Sequence, residues 1–396
     1  MKNIAKLHQH FLINTYPFRG KVFTRGSGNY LIDDRGKQYL DVMINYGVNI
    51  FGYGHPVINK ALKDQLALLL NLHCSFANEV RAEAAGKLVK KSAGKLKKVY
   101  FANSGAEAVE AALKFALLYS ERKGIISMEG GYHGKTLAAL SVTSNQKYRN
   151  GLTSSLMNIS FAKFNDVLSL KKLITSQTAA VILEPIQGES GIIVPDDNYL
   201  NEVSALCQKA GALLIIDEIQ TGAGRTGKFL ASHHSGIEPD LVCLGKGIAG
   251  GVPSGVVMMS NEVASRVAKA MQTSTFGGNP LSCAGINTVL DLLDEACLEN
   301  ISKLGEYFLG KLKKINSDLI VNVRGQGLMI GLEVNVDRDQ ILKNLQREFI
   351  LASPSGENVI RFLPPFTITK KEIDKIAAIL TNVLANFNNE RTQNHV

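Results

Sequence analysis

The chain has 396 residues, enough for a large core and two domains, with 45% hydrophobic and 20% charged residues as in ordinary soluble proteins. No apolar run is long enough to cross a bilayer and no apolar leader follows Met1, so a cytoplasmic protein is expected, neither secreted nor membrane-bound. The net charge of +9 is not gathered into basic blocks interleaved with aromatics, which argues against nucleic acid. It fits either a solvated basic surface or attraction for an acidic partner or anionic substrates.

In chain order, the first fifty residues carry turn-rich alternation, and GNYLIDDRGK at 28–37 predicts a hairpin turning between Asp33 and Gly36. From about 51 to 283, short apolar runs alternate with helical stretches. Val99–Ala102, Ile125–Met128, Ala179–Leu183, Leu213–Ile216, Leu241–Leu244 and Gly255–Met259 have strand length. Between two of them, Ala106–Ser120 places Val109, Leu113, Ala116 and Leu117 on one helical face. This alternation predicts an α/β domain with a largely parallel sheet and helices on both faces. The last hundred residues mix helix (Ile301–Ile315) with strand (Gly327–Glu333), as in a smaller α+β domain. The five cysteines are scattered and odd in number, and the eight histidines lack ligand spacing, so reduced thiols and no metal are expected.

Three apolar runs end in an ionisable group: Glu184 after AAVIL, Asp217 after ALLII and Lys246 after LVCLG. Such groups are costly behind buried strands unless paired or liganded. A salt bridge between Asp217 and Lys246 is one solution. The other is a ligand. Lys246 stands in GKGIAGG, where bare backbone lets a flat molecule approach its amine. Desolvation can lower the pKa of such an amine enough for attack on a carbonyl. Asp217 can then keep a pyridine nitrogen protonated. Asn103, Ser104, Gly105 and Ala106 open a helix whose free N–H groups suit a phosphate, or simply supply an N-cap with Glu107 in the first turn. In a pocket holding a pyridine ring, Tyr132 can stack on it, with His133 beside it. A Walker loop at GGYHGKT fails, because position 129, where the pattern needs glycine, is glutamate.

Eight ordered motifs carry a resemblance over nearly the whole chain: NSGAEAVEAALKFA at 103–116, GYHGKTLAALSVT at 131–143, LEPIQGESG at 183–191, LLIIDEIQTGAGRTGK at 213–228, PDLVCLGKGIAGGVPSG at 239–255, STFGGNPLSC at 274–283, RGQGLMIGLE at 324–333 and VIRFLPP at 359–365. Together they resemble the class-III, fold type I aminotransferases dependent on pyridoxal 5'-phosphate, in their acetylornithine/ornithine branch. Phrases such as AAVILEPIQGESG and LSVTSNQKYR are most similar to archaeal-type enzymes of lysine and arginine biosynthesis, whose substrates ride on a small acidic amino-group carrier protein.

The resemblance implies a large cofactor domain over 51–283, with a mostly parallel seven-stranded sheet. It also implies a small domain made of 1–50 and 284–396. Lys246 is then the Schiff-base lysine, Asp217 the pyridinium partner and Gln220 the neighbour of the ring's phenolic oxygen. Ser104, Gly105 and Ala106 cradle the phosphate, and Thr275 reaches the phosphate of a neighbouring subunit, so a homodimer with shared sites is expected. Tyr132 covers the ring. Arg361 grips the carboxylate of glutamate or 2-oxoglutarate, and Glu189 masks it when a distal amine must react. Lys135 departs from the family's arginine, offering charge without the planar fork. Tyr46 is isoleucine in many acetylornithine and 4-aminobutyrate enzymes but tyrosine in ornithine aminotransferases. With Tyr16 it can bond a substrate, or both tyrosines only pack. The implied reaction moves a terminal amine between glutamate and an acetylated or carrier-linked semialdehyde. The alternatives are an ornithine or 4-aminobutyrate aminotransferase, an aminomutase of the glutamate-semialdehyde type, or a non-catalytic phosphate-binding relative.

Overall fold

The computed structural model describes residues 4–393. Its centre is a seven-stranded sheet: β1 (Lys98–Ala102), β2 (Gly124–Met128), β3 (Ser160–Ala162), β4 (Thr178–Leu183), β5 (Leu213–Asp217), β6 (Leu241–Leu244) and β7 (Gly255–Met259). The spatial order is β1-β7-β6-β5-β4-β2-β3, and only β7 runs against its neighbours. Strands β4 to β7 are buried along their whole length, as expected when helices cover both faces.

The alternation inside these strands splits the core. Ile125, Ala180, Ile182, Ile215, Cys243 and Val257 pack towards the helix Gly105–Ser120, with Val109, Leu113 and Phe115. Ile126, Val181, Leu183, Leu214, Ile216, Val242 and Met258 face the larger core on the other side. Each fully buried aliphatic side chain contributes about 1.5–3 kcal/mol, so the faces are held by many modest terms.

Two smaller sheets flank this body. Tyr30–Asp33 and Gln38–Asp41 form the expected hairpin, closed by the Gly36 N–H donating to the Asp33 carbonyl with Gly36 at φ +77°. Phe23–Ser27 pairs on one side of it, and Ile350–Leu351 joins the other in parallel, so N-terminal and C-terminal segments share a sheet. Ile320–Gln326, Met329–Val334, Val359–Phe362 and Ser353–Ser355 make an antiparallel sheet that carries Arg361. The helix Pro280–Leu292 runs across residue 283 and packs on the helices Pro56–Leu68 and Glu79–Ser92. All five cysteines are unpaired. Among the described residues no helix is long and apolar enough to cross a membrane, and no acidic, histidine or cysteine cluster is arranged for a metal.

Candidate active site

The carboxyl ends of β1, β2, β4, β5 and β6 open towards one side of the sheet, where ligands bind in open α/β folds. The segments that follow enclose a cavity of about 320 Å³, lined among others by Gly105, Ala106, Tyr132, His133, Glu184, Glu189, Asp217, Gln220 and Lys246. That is at the small end of ligand sites, which span roughly 300–1,000 Å³.

Asp217 does not pair with Lys246. Its Oδ2 lies 2.7 Å from Nδ1 of His133, and its Oδ1 accepts from the Ile219 N–H at 3.0 Å; both side chains are buried. The other ring nitrogen of His133 has no hydrogen-bond partner among the described residues. A carboxylate offers about four acceptor positions, so Asp217 keeps capacity for one more donor. Glu184 accepts from the Tyr132 N–H at 3.0 Å and from the Gly188 N–H at 3.1 Å. Burial pushes its carboxyl up to about 7, helped by Asp217 and opposed by His133 and the two amides.

Lys246 begins the short turn after β6 and holds a left-handed backbone, φ +46°, which side chains rarely adopt without local compensation. Its amine makes no hydrogen bond or ion pair with the described residues. Burial lowers its pKa; Arg361 acts the same way, whereas Glu189, Asp217 and Glu184 oppose it. Gly245, just before it, packs directly on Gly105, where an added Cβ would approach the Gly105 Cα to 3.3 Å.

Arg361 is fully buried on the strand Val359–Phe362. Its Nη1 donates to Glu189 Oε1 at 2.6 Å, the Gly188 carbonyl at 2.8 Å and Gln220 Oε1 at 3.3 Å, while Nε reaches Ser353 Oγ at 3.1 Å. Its Nη2 has no partner among the described residues, and Tyr46 lies with its ring 5.2 Å from the guanidinium. Burial works against the Glu189 carboxylate, but Arg361 and Lys246 overcome it and hold Glu189 below its ordinary range. Tyr46 lies in a run of four residues with positive φ, Ile44 to Gly47, anchored where Asp41 Oδ1 accepts from the Met43 and Ile44 N–H groups, both at 2.9 Å.

The helix Gly105–Ser120 points its N-terminus at the cavity. Ser104 caps it, accepting from the Glu107 N–H at 3.2 Å, while Glu107 Oε2 accepts from the Asn103 N–H at 2.7 Å. The N-cap reading of Ser104 therefore holds in the geometry; Gly105 and Ala106, rather than Ser104, line the cavity. Tyr132 stands edge-to-face with Tyr148, and Lys135, exposed at the mouth, sets its amine 4.7 Å from the Tyr148 ring. Two expected residues are not gathered in. Thr275 is exposed outside the cavity, and Tyr16, 71% exposed, lines a separate N-terminal hollow, though it still acts electrostatically on Tyr46 and Tyr132.

Residues 15–384 match the family model of the class-III aminotransferases. The chain is a class-III aminotransferase. It is 40% identical to the acetylornithine aminotransferase of Aquifex aeolicus over 94% of this chain and all of that one. It is 39% identical to the LysW-aminoadipate semialdehyde/glutamate semialdehyde transaminase of Sulfolobus acidocaldarius, covering 96% of this chain and 98% of the relative. An ornithine aminotransferase structure from Toxoplasma gondii superposes with a TM-score of 0.92 at 30% identity, covering 98% of this chain and 95% of that one. That structure records partial occupancy of pyridoxal 5'-phosphate at its active site.

Pyridoxal 5'-phosphate is the cofactor of this aminotransferase family, and the residues present suit it. An unpartnered, desolvated amine, a buried carboxylate with spare acceptor capacity and a helix N-terminus all meet at one cavity. Sequence reasoning on this aminotransferase missed the His133–Asp217 pair and the two amides held by Glu184. Each joins residues far apart in the chain, and no local pattern announces such contacts. It also missed Arg225, fully buried, whose Nη1 donates to the Leu328 carbonyl at 3.1 Å and the Pro364 carbonyl at 2.6 Å. It clamps the loop after Gln220 to the segment behind Arg361.

Proposed function

We propose that this aminotransferase carries the terminal amino group between glutamate/2-oxoglutarate and an N-blocked semialdehyde of ornithine or lysine type, in arginine or lysine biosynthesis. The observation that carries this reading is the Arg361–Glu189 pair at 2.6 Å, in which Glu189 lines the cavity that also holds Lys246 and Arg361 is buried behind it. A site serving two substrates in turn must accept a carboxylate near the reacting carbon for glutamate and refuse one for a distal amine. A guanidinium masked by a side chain that can swing away meets both demands.

When bound, the cofactor supplies an aldehyde for amines to join and a cationic ring that draws electrons from the bonds made to it. Lys246 would hold that aldehyde and would take and return the proton at the substrate carbon, a task suited to an amine with a lowered pKa. Asp217, oriented by His133, would keep the ring nitrogen protonated, and Gln220, which lines the same cavity, would serve the ring's phenolic oxygen. Gly105 and Ala106 would hold the phosphate at the helix N-terminus that Ser104 caps. Tyr132 covers the ring. Lys135 at the mouth attracts the far carboxylate, with Tyr46 and Tyr16 bordering the substrate. Thr275, exposed, reaches the phosphate in a second copy of the chain, so the working unit is a homodimer. Unpaired thiols accord with a cytoplasmic setting.

The blocking group is acetyl, as the name of the Aquifex relative suggests, or a carrier protein, as that of the Sulfolobus relative does. Free ornithine is a second reading, favoured by Tyr46 beneath Arg361. Half-reactions with each amino donor, followed through the cofactor's absorbance, separate the three. Conversion by free ornithine alone would overturn the N-blocked assignment. Lys246→Ala should abolish transfer while cofactor still binds through its phosphate. Borohydride labelling of the wild type should mark residue 246 and no other lysine.

A further inference from the structure

Glu184 is buried at the end of β4, and no step assigned above uses it. Its two oxygens take one amide each from two different loops at the cavity. Oε1 accepts from Tyr132, on the loop that covers the ring site, and Oε2 accepts from Gly188, on the loop that carries Glu189. The Gly188 peptide continues the chain of contacts, for its carbonyl accepts from Arg361 Nη1 at 2.8 Å and from Ser355 Oγ at 2.7 Å. One carboxylate thus stands between the aromatic wall and the arginine clamp.

The residue type matters. Burying a carboxylate beside Asp217 is costly, and an apolar side chain would avoid that cost but leave two buried amides unsatisfied. The two amides are taken by separate oxygens, and glutamine has an NH₂ in place of one of them, so that NH₂ would face one of the two donors. Aspartate has the fork but not the reach. A carboxylate on this length of stem is the one side chain that satisfies both loops.

We propose that Glu184 is a positioning residue for both halves of the transfer, fixing Tyr132 over the ring site and Gly188 behind Arg361 at a set separation. The clamp half of this inference rests on the reading of Arg361 given above.

The test compares Glu184→Gln, Glu184→Asp and Arg361→Ala with the wild type, all loaded with pyridoxal 5'-phosphate. Three quantities are read: visible circular dichroism of the bound cofactor, KM for 2-oxoglutarate and KM for the amino donor. With Glu184→Gln the dichroic band should change in amplitude, and KM for 2-oxoglutarate should rise about tenfold, with a smaller change for the donor, which does not use the clamp. Glu184→Asp keeps the charge and should move the same quantities, so it serves if the glutamine variant does not fold. A role confined to stability would lower the melting temperature and leave the dichroic band and both KM values in place. That outcome in both variants, with KM for 2-oxoglutarate still raised by Arg361→Ala, overturns the inference alone. An Arg361→Ala protein with unchanged KM for 2-oxoglutarate overturns the functional reading instead, and the dichroic band then decides for or against Glu184.

Discussion

Glu184 and Glu189 stand in one motif, yet their surroundings push them in opposite directions. Burial raises Glu184 from 4.5 to about 7, so the folded protein holds a proton there that the unfolded chain has released. Stability therefore falls as pH rises from about 4.5 to about 7 and is level above, by on the order of 3 kcal/mol at about 1.4 kcal/mol per unit. Glu189 is held low by Arg361 against its burial. Its contribution is fully present above 4.5 and is lost as pH falls through the lowered value. Melting temperatures of the cofactor-free wild type, Glu184→Gln and Glu189→Gln, taken from pH 4 to 8, should separate the two. The Glu184 variant should gain on the wild type as pH rises towards 7, whatever its constant offset from the lost amide bond. The Glu189 variant should lag above pH 4.5 and close the gap on acidification. Parallel curves for both would mean that neither carboxyl is perturbed as described.

Elements were legible where burial writes a pattern. The runs AAVIL, ALLII and LVCLG are strands because parallel strands buried on both faces need continuous apolar side chains, and all three lie in the core. Strand β3, Ser160–Ala162, went unread: three residues at a sheet edge leave no periodicity to detect. Lys246 and Asp217 stood out as charges behind apolar runs, but Arg361, in the middle of a buried strand, was marked only by family resemblance. The fit between elements is set by glycines, which the sequence shows without their reason. Gly134, φ +133°, is one. A Cβ there would lie 2.8 Å from the Ala106 Cβ and 3.2 Å from its Cα, so the loop after β2 presses against the helix start with nothing between. Gly134→Ala should cost about 1–3 kcal/mol through its backbone alone. It should also push Ala106 away from the cavity, weakening retention of the cofactor. Thermal unfolding with and without pyridoxal 5'-phosphate reads both effects. A variant with wild-type cofactor affinity would show that the helix start does not hold the phosphate.

At the scale of the whole molecule, the excess of positive charge bears on the proposed choice between an acetylated and a carrier-linked substrate. A small acetylated substrate reaches the cavity by diffusion, and a distant surface charge changes its encounter rate little. An acidic carrier protein presents many charges at once, and opposite fields raise the rate of its productive encounters by roughly tenfold to a thousandfold at low salt. Salt tells the two apart because it screens the surface field over about 10 Å at 0.1 M and about 3 Å at 1 M, while contacts inside the cavity are screened far less. With a carrier-linked semialdehyde, kcat/KM should fall at least tenfold between about 0.01 M and 0.5 M sodium chloride, with kcat nearly constant. N-acetylornithine, measured in the same buffers, should change by less than about threefold, because it presents a single distal carboxylate rather than a charged protein surface. Replacing Lys135 by arginine should lower KM for N-acetylornithine through a bidentate grip and leave the carrier's salt dependence unchanged, since that dependence comes from the surface as a whole. If kcat/KM for the carrier-linked substrate is flat across this range, the basic surface steers nothing. The +9 charge is then ordinary solvation.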